Sequence, residues 1–455
     1  MTGIFKAYDV RGSYPDELDE EATEKIGYSF VQLLGADRIV VGRDMRLSSP
    51  ALAGAFCRGA VAAGASVADA GMTSTPLLYH CIIEGNFDGG AMITASHLPG
   101  PMNGIKLSRK EAIPLSGDEG LPALERMVTG MPAGKPAGKA AGGSCQPADM
   151  IAGYIERMAG FAKSQRKMTI VADAGDGMAG PELIRLDRRI SSWQILPMYA
   201  EPDGTFPHHG SNPFLPGMTQ DAERRVVEEG ADFGVAFDGD ADRCIFIDEE
   251  GGRVPADLAT ALIAEYFLEK NPGGTILYDL RSSRIVPETI GTLGGRAVRS
   301  RVGHAFIKDL MRREGGIFAG ELSGHYYFRD TGFCDNGIFA MIQMANLLSV
   351  RDEPLSSLIS PLRKYASTGE LNMRVTRKDA IMAALVAEYP DAEMDHLDGL
   401  TIVHPAWWFN LRSSNTEPVI RLNLEADTQS LMEKKLTEIE GIIGDADPGV
   451  VAIAD

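Results

Sequence analysis

IVVGRDMRLSSP, residues 39–50, is the stretch on which the architecture turns. It opens on a β-branched, apolar run, turns through polar and small residues, and closes on a proline suited to the first turn of a helix. Two more stretches follow the same plan, IVADAGDGMAGP at 170–181 and ILYDLRSSRIVP at 276–287. After the first, apolar residues recur at helical spacing over Leu52–Val67, and another strand follows. Strands alternating with helices predict parallel α/β units. Three such units in series suit 455 residues, since a domain ordinarily takes about 150. The strings alone fit three unrelated strand–helix turns equally well.

Working outward, residues 130–143, GMPAGKPAGKAAGG, read as a solvated linker. EEGG at 249–252 marks a turn after a strand, and a further boundary falls within 363–370. The predicted domains are therefore 1–135, 146–249, 250–364 and 365–455. The last ends in the helix-like SLMEKKLTEIEGII and is too short to repeat the others, so a smaller α+β domain is expected.

Lys and Arg number 44 against 63 Asp and Glu, a net charge of −19. No basic stripe is present, which argues against nucleic acid as a partner. An acidic surface repels anions in general, so an anionic ligand needs local cations to gather it. No run of about 18 apolar residues marks a membrane span, and MTGIFKAYDVRG lacks the apolar core of a signal peptide. Five scattered cysteines give neither a disulfide framework nor a zinc site. The expectation is a cytoplasmic, multi-domain protein.

Four segments carry chemistry. In FGVAFDGDADRCIFID, 233–248, Asp238, Asp240 and Asp242 alternate between two strand-like runs. Carboxylates held near 4 Å repel by roughly 4 kcal/mol per pair at an effective dielectric of 20. A divalent cation removes that cost, and hard oxygen ligands favour magnesium or calcium. An EF-hand would place Asp238, Asp240, Asp242 and Glu249 correctly, but Arg243 stands where its glycine belongs and the flanks are strands. An acidic hairpin turn is the other reading. In ITASHLPGPMNGIKLS, 93–108, an apolar strand runs into a turn exposing Ser96 and His97, with Lys106 beyond. Serine there is a turn residue unless a base or metal lies close. GIFAGELSGHYYFRD, 316–330, alternates Glu321, Ser323 and His325 between glycines, a way to present polar groups to a polyol, or an ordinary surface loop. WWFNLRSSNTEPVIRL, 407–422, gathers Arg412, Ser413, Ser414, Asn415 and Thr416 between two strands, donors suited to a phosphate dianion or to a polar hairpin.

Taken together and in this order, TASH, DGDADR at 238–243, GELSGH at 320–325 and RSSNTEP at 412–418 resemble the α-D-phosphohexomutase family, its phosphomannomutase/phosphoglucomutase branch. The resemblance spans the whole chain, with YDVRG at 8–12 and DGTFP at 203–207 adding to it. It implies an α/β fold of three similar domains with mixed sheets plus the smaller α+β domain, around one central cleft. It implies that Ser96 carries a phosphoryl group, and that Ser96, Asp238, Asp240 and Asp242 hold Mg²⁺. Arg11, Lys106, Arg243 and His325 become the catalytic group, with His325 and Lys106 the candidates for proton transfer. Arg281, His304, Glu321, Ser323, Arg412, Ser413, Ser414, Asn415, Thr416 and Arg421 become the substrate-binding group. Two positions depart from the family pattern: Leu98 stands where asparagine is usual after TASH, and Arg281 where lysine is common.

The implied activity moves phosphate between O1 and O6 of mannose or glucose through a hexose 1,6-bisphosphate, in a monomer or dimer whose partner is a small sugar phosphate. One alternative is a phosphoglucosamine or N-acetylglucosamine phosphate mutase, against which Leu322 in GELSGH weighs. The other is a non-catalytic sugar-phosphate-binding protein.

Overall fold

The computed structural model describes residues 3–116, 120–132, 134, 142–164, 166–413 and 419–453. Most of the sequence-derived linker 130–143, and Ser414, Asn415 and Thr416, lie outside the described residues. The first sheet contains β1 (Val10–Ser13), β2 (Arg38–Arg43), β3 (Ser66–Met72), β4 (Gly89–Ile93), β5 (Met102–Arg109) and β6 (Ser144–Pro147). Its spatial order is β1-β5-β4-β2-β3-β6. β2 runs parallel to β3 and β4, and β6 parallel to β3, while β5 and β1 reverse direction. Ile39 and Val41 enter one hydrophobic core with Phe30 and Phe56, yet Val40 on the opposite face is equally buried. Both faces are covered, so this strand shows an unbroken apolar run rather than alternation. Gly59 lets helix Ser49–Ala62 cross helix Glu20–Leu34 closely, because a β-carbon there would strike the Glu24 carbonyl. The helix expected to reach Val67 stops at Ala62: Gly64 turns the chain at φ +107 and Ser66 begins β3.

β7 (Met168–Asp173), β8 (Trp193–Met198), β9 (Phe233–Phe237), β10 (Cys244–Ile247) and β11 (Arg253–Val254) form the second sheet, in the order β11-β10-β9-β7-β8. Again a parallel trio, β8, β7 and β9, is extended by antiparallel strands. The third set repeats the ingredients, with β12 (Thr275–Asp279) parallel to β13 (Arg296–Ser300). β14 (Phe318–Gly320), β15 (Tyr326–Phe328) and β16 (Cys334–Asp335) follow as an antiparallel run. The three proline-ended stretches each lead into a helix, Ser49–Ala62, Ala179–Arg189 and Ile285–Thr292.

The fourth domain is smaller and different in kind. β17 (Ala366–Arg374), β18 (Glu393–Asp395), β19 (Leu400–His404), β20 (Trp407–Ser413), β21 (Val419–Ala426) and β22 (Val451–Ile453) are ordered β18-β19-β20-β21-β17-β22 and pair antiparallel throughout. Helices Lys378–Glu388 and Gln429–Ala446 supply Ile381, Leu385, Ile439 and Ile443 to its core, against Phe409, Leu411 and Leu422.

Two compact units result. One comprises Met1–Ala256 with Gly303–Ser356, the other Asp257–Val302 with Ser357–Asp455. The segment 250–364 contributes to both, so compactness divides the chain differently from the boundaries drawn on sequence. The described cysteines are unpaired thiols, and no described helix is long and apolar enough to cross a membrane.

Candidate active site

Within the first unit, β4, β5 and the β9–β10 turn bring the serine and aspartate motifs together. Ser96 lies just past the end of β4 with φ +52 and is 4 % exposed. Its Oγ donates to Asp238 Oδ2 at 2.7 Å across 142 residues of sequence. Arg243 Nη2 and His97 Nδ1 each lie 3.4 Å from that Oγ. One side chain shapes the loop: fully buried Arg46 donates to the carbonyls of Ser96, Leu98, Pro99 and Met102 at 2.9, 2.6, 2.8 and 3.1 Å. Its Nε pairs with Asp44 Oδ2 at 3.1 Å, and Asp44 accepts from Ser49 Oγ through its other oxygen.

Asp238, Asp240 and Asp242 converge in the tight turn between β9 and β10, helped by Ala241 at φ +63. Each offers an oxygen within 4.8 Å of the others, and all are buried. Lys106 Nζ, reaching from β5, bridges Asp240 Oδ2 at 2.6 Å and Asp242 Oδ2 at 2.5 Å. Arg243 Nε donates to Asp238 Oδ2 at 2.9 Å, and Thr75 Oγ1 donates to Asp240 Oδ2 at 2.5 Å. Burial, and then the charges of Asp242 and Asp240, push the Asp238 carboxyl upward. Against burial, Lys106, His325 and Arg243 hold Asp242 well below the usual carboxylate range. The two carboxylates likewise outweigh burial at Lys106 and raise it. So placed, Lys106 spans two of the three carboxylates of the cluster.

The donor set suits a hard divalent cation. Asp240 Oδ1 and Asp242 Oδ1 are buried without a hydrogen-bond donor among the described residues. Buried carboxylate oxygens left unsatisfied are costly unless a cation takes them. Asp238, Asp240 and Asp242 are thus the side chains that would hold Mg²⁺, with Ser96 beside them.

His325 sits between three acids: Nε2 is 3.6 Å from Asp242 Oδ1 and 3.8 Å from Asp335 Oδ2, and Nδ1 is 3.2 Å from Glu321 Oε2. Asp242, Glu321 and Asp335 outweigh its burial and raise it. Ser323 Oγ reaches the same Nδ1 at 3.1 Å. Glu321, read from sequence either as presented to a polyol or as part of a surface loop, is 1 % exposed; it accepts from Tyr327 Oη at 2.5 Å and from the Gly303 N–H at 3.0 Å. His304 stacks at 6.3 Å on His325 and lies edge-on to Tyr8. Burial and then Lys308 push its imidazole well below the usual range. Arg11 on β1 pairs with Asp9 at 2.8 Å and donates to Thr94 O at 2.7 Å.

Arg281, Arg412, Ser413 and Arg421 belong to the second unit, where Arg281 and Arg412 meet on Glu370. Sequence reasoning missed Arg46, Thr75, Asp335 and Lys308. The last two form a fully buried ion pair at 2.6 Å, with the Tyr79 ring 4.1 Å from the ammonium. Only the polar MRLSS turn after β2 gave any hint of Arg46; Asp335 and Lys308 stand in no motif.

Comparison with known proteins accounts for nearly the whole chain. Residues 2–130, 152–252, 255–365 and 370–441 match, in turn, phosphoglucomutase/phosphomannomutase α/β/α domains I, II and III and the C-terminal domain. A phosphomannomutase of Escherichia coli is 38 % identical over 451 residues, covering 96 % of this chain and 98 % of that protein. Phosphohexose mutases of Xanthomonas campestris pv. campestris are 37 % identical over 445 residues, covering 96 % and 98 %. Among solved structures, a phosphoglucomutase/phosphomannomutase family protein of Burkholderia thailandensis superposes with a TM-score of 0.89 at 33 % identity, over 99 % of this chain and 98 % of that one.

Proposed function

The chain belongs to the phosphoglucomutase/phosphomannomutase family of intramolecular phosphotransferases, and from that premise we propose that it moves phosphate between O1 and O6 of mannose and glucose through Ser96. The observation that supports this most is the approach of Ser96 Oγ to Asp238 inside a cluster of three carboxylates and two cations.

In this reading Ser96, phosphorylated, passes its phosphoryl group to a free sugar hydroxyl. The serine oxygen is the leaving group and the hydroxyl proton goes to a neighbouring base. The 1,6-bisphosphate so formed turns over and returns its other phosphate to Ser96 Oγ, whose proton faces Asp238 Oδ2. Arg243 and Lys106 supply fixed positive charge where the phosphoryl group transfers. Arg11 lends a third cation. His325, with Nε2 facing the cluster and Nδ1 held by Glu321 and Ser323, is the group suited to exchange a proton with the sugar. Mg²⁺, when held by Asp238, Asp240 and Asp242, contributes Lewis-acid neutralisation of the phosphoryl oxygens. Glu321 and Ser323 position the sugar, and Arg412, Ser413, Ser414, Asn415 and Thr416 bind the phosphate that is not reacting, with Arg281, His304 and Arg421 completing the contacts. In this reading the functional domains are 1–135, 146–249, 250–364 and 365–455, although the third is divided between the two compact units, and the cytoplasm is where such substrates are met.

The test is intact mass after incubation with glucose 1,6-bisphosphate and Mg²⁺. The parent should gain one phosphoryl group and Ser96→Ala none, with turnover of mannose 1-phosphate and glucose 1-phosphate lost together. Near-parental turnover in Ser96→Ala overturns the carrier assignment, and activity confined to glucosamine phosphates overturns the choice of sugar.

A further inference from the structure

In the second unit three guanidinium groups gather on one carboxylate. Arg412 and Arg421 face each other across the β20/β21 ladder, and like charges directly opposed in a sheet are destabilising. The anion that answers them is Glu370. Arg412 Nη2 donates to its Oε2 at 2.6 Å and Arg281 Nη1 to the same oxygen at 3.3 Å, while Arg421 Nε stands 4.0 Å from Oε1. Backbone geometry puts it there. The pairing of β17 with β21 slips between Ser367 and Glu370, with Gly369 at φ +67, and such a bulge re-aims the side chain beside it.

One carboxylate does not satisfy this group. The Nε atoms of both Arg412 and Arg421 are buried without an acceptor among the described residues, although the Arg412 side chain is only 9 % exposed. Arg281 also donates to Asp279 from Nε and Nη2. A carboxylate offers one charge and two oxygens; a phosphoryl group offers nearly two charges and three strong acceptors. The Glu370 side chain is 24 % exposed, against 9 % for Arg412, so it is the more open member of that pair.

We propose that Glu370 is a resident stand-in for the substrate's phosphate: it gathers Arg281, Arg412 and Arg421 before substrate arrives and yields to a phosphoryl dianion, excluding anions no stronger than itself. This rests on the assignment of Arg412 to the non-reacting phosphate, and the experiment separates the two.

Full-length protein is titrated with inorganic phosphate and with acetate, read by thermal shift, and KM and kcat are measured with glucose 1-phosphate. Glu370→Gln keeps the shape and removes the competing charge. Its affinity for phosphate should rise about two- to fivefold, the worth of a partly exposed ion pair, with acetate now giving a shift that the parent lacks. KM should fall by a similar factor while kcat does not rise. Unchanged or weaker phosphate binding overturns the stand-in role and leaves Glu370 a scaffold for the arginines. Should the amide fail to fold, Glu370→Asp, which draws the charge back by one methylene, should move affinity the same way by less; parental or weaker binding overturns the proposal equally. Arg412→Ala should lose the phosphate response. If it keeps parental affinity, the phosphate assignment itself fails, whatever Glu370→Gln does.

Discussion

Ser96 holds a backbone conformation that a β-carbon disfavours, φ +52, at a cost of order 1–3 kcal/mol. Arg46 makes that conformation tenable, because one buried guanidinium ties the carbonyls of Ser96, Leu98, Pro99 and Met102 into a fixed arc. A lysine cannot copy it: its ammonium is a compact point charge without the planar fork. Arg46→Lys should therefore keep Asp44 paired yet lose about 1–3 kcal/mol of stability. With the Ser96 loop loosened, kcat should fall at least about tenfold, roughly 1.4 kcal/mol of barrier, and KM should change far less. Denaturant midpoints and steady-state kinetics check both; a parental kcat would show that Ser96 holds its position without this clamp. Away from the acid cluster, His209 Nε2 lies 3.1 Å from Asp173 Oδ2. The Asp173 hydrogen bond and charge, then the Gly210 carbonyl and Asp176, outweigh burial and raise His209 to about 9. Its folded-state pKa exceeds the unfolded value of about 6.5, so the pair's contribution is complete below pH 6.5 and is lost as pH rises through 9. His209→Gln should be less stable than the parent by roughly 2 kcal/mol near pH 6, with the gap closing by about pH 10. A gap that stayed constant over that range would assign His209 a packing role alone.

At the scale of elements, the site is a meeting of turns. The β9–β10 turn was legible because its three aspartates sit together in the chain and alternate between strands, so repulsion alone announces a cation. From its own string Ser96 read as a turn residue, and only the family resemblance made it a phosphoryl carrier, because its partner Asp238, at 2.7 Å, arrives from another sheet. Lys106 was seen, but not its partners; only the register of β5 against β4, with Lys106 opposite Met92, sends it toward Asp240 and Asp242. Thr75, Asp335 and Lys308 left no local trace, because each matters through a partner distant in sequence. The aspartate turn carries its own prediction. Removing one of three hard ligands should abolish the gain in thermal stability from Mg²⁺, which for a site at a hundred times its Kd is about 2.7 kcal/mol. Asp240→Asn should fold normally and lose that response, and chelation should leave the parent inactive but folded. An Asp240→Asn protein with the parent's Mg²⁺ response would place the cation elsewhere.

At the scale of the whole molecule, the sequence repeats predicted three α/β domains and a smaller fourth, and sheets of that description are present. They could not show that the segment after Ala256 contributes to two compact units, because that depends on which contacts close around β12–β13 and which around β14–β16. The division has a thermodynamic consequence. A chain of this size with two compact units is not bound to unfold in one step, and its tryptophans are placed to show whether it does. Of the three, Trp193 is buried on β8 in the first unit, while Trp407 and Trp408 are buried on β20 in the second. In a Trp193→Phe variant, intrinsic fluorescence reports the second unit alone, whereas far-UV circular dichroism reports the helices of both. Replacing Phe409, fully buried in the fourth domain's core, by Ala costs about 3–5 kcal/mol where it acts. In the Trp193→Phe background, Phe409→Ala should move the fluorescence transition to lower temperature and leave behind a second circular-dichroism transition near the original midpoint. Two probes that remained superimposed, both shifted by the same amount, would mean that the units melt as one, and that the contacts separating them in space do not separate them in energy.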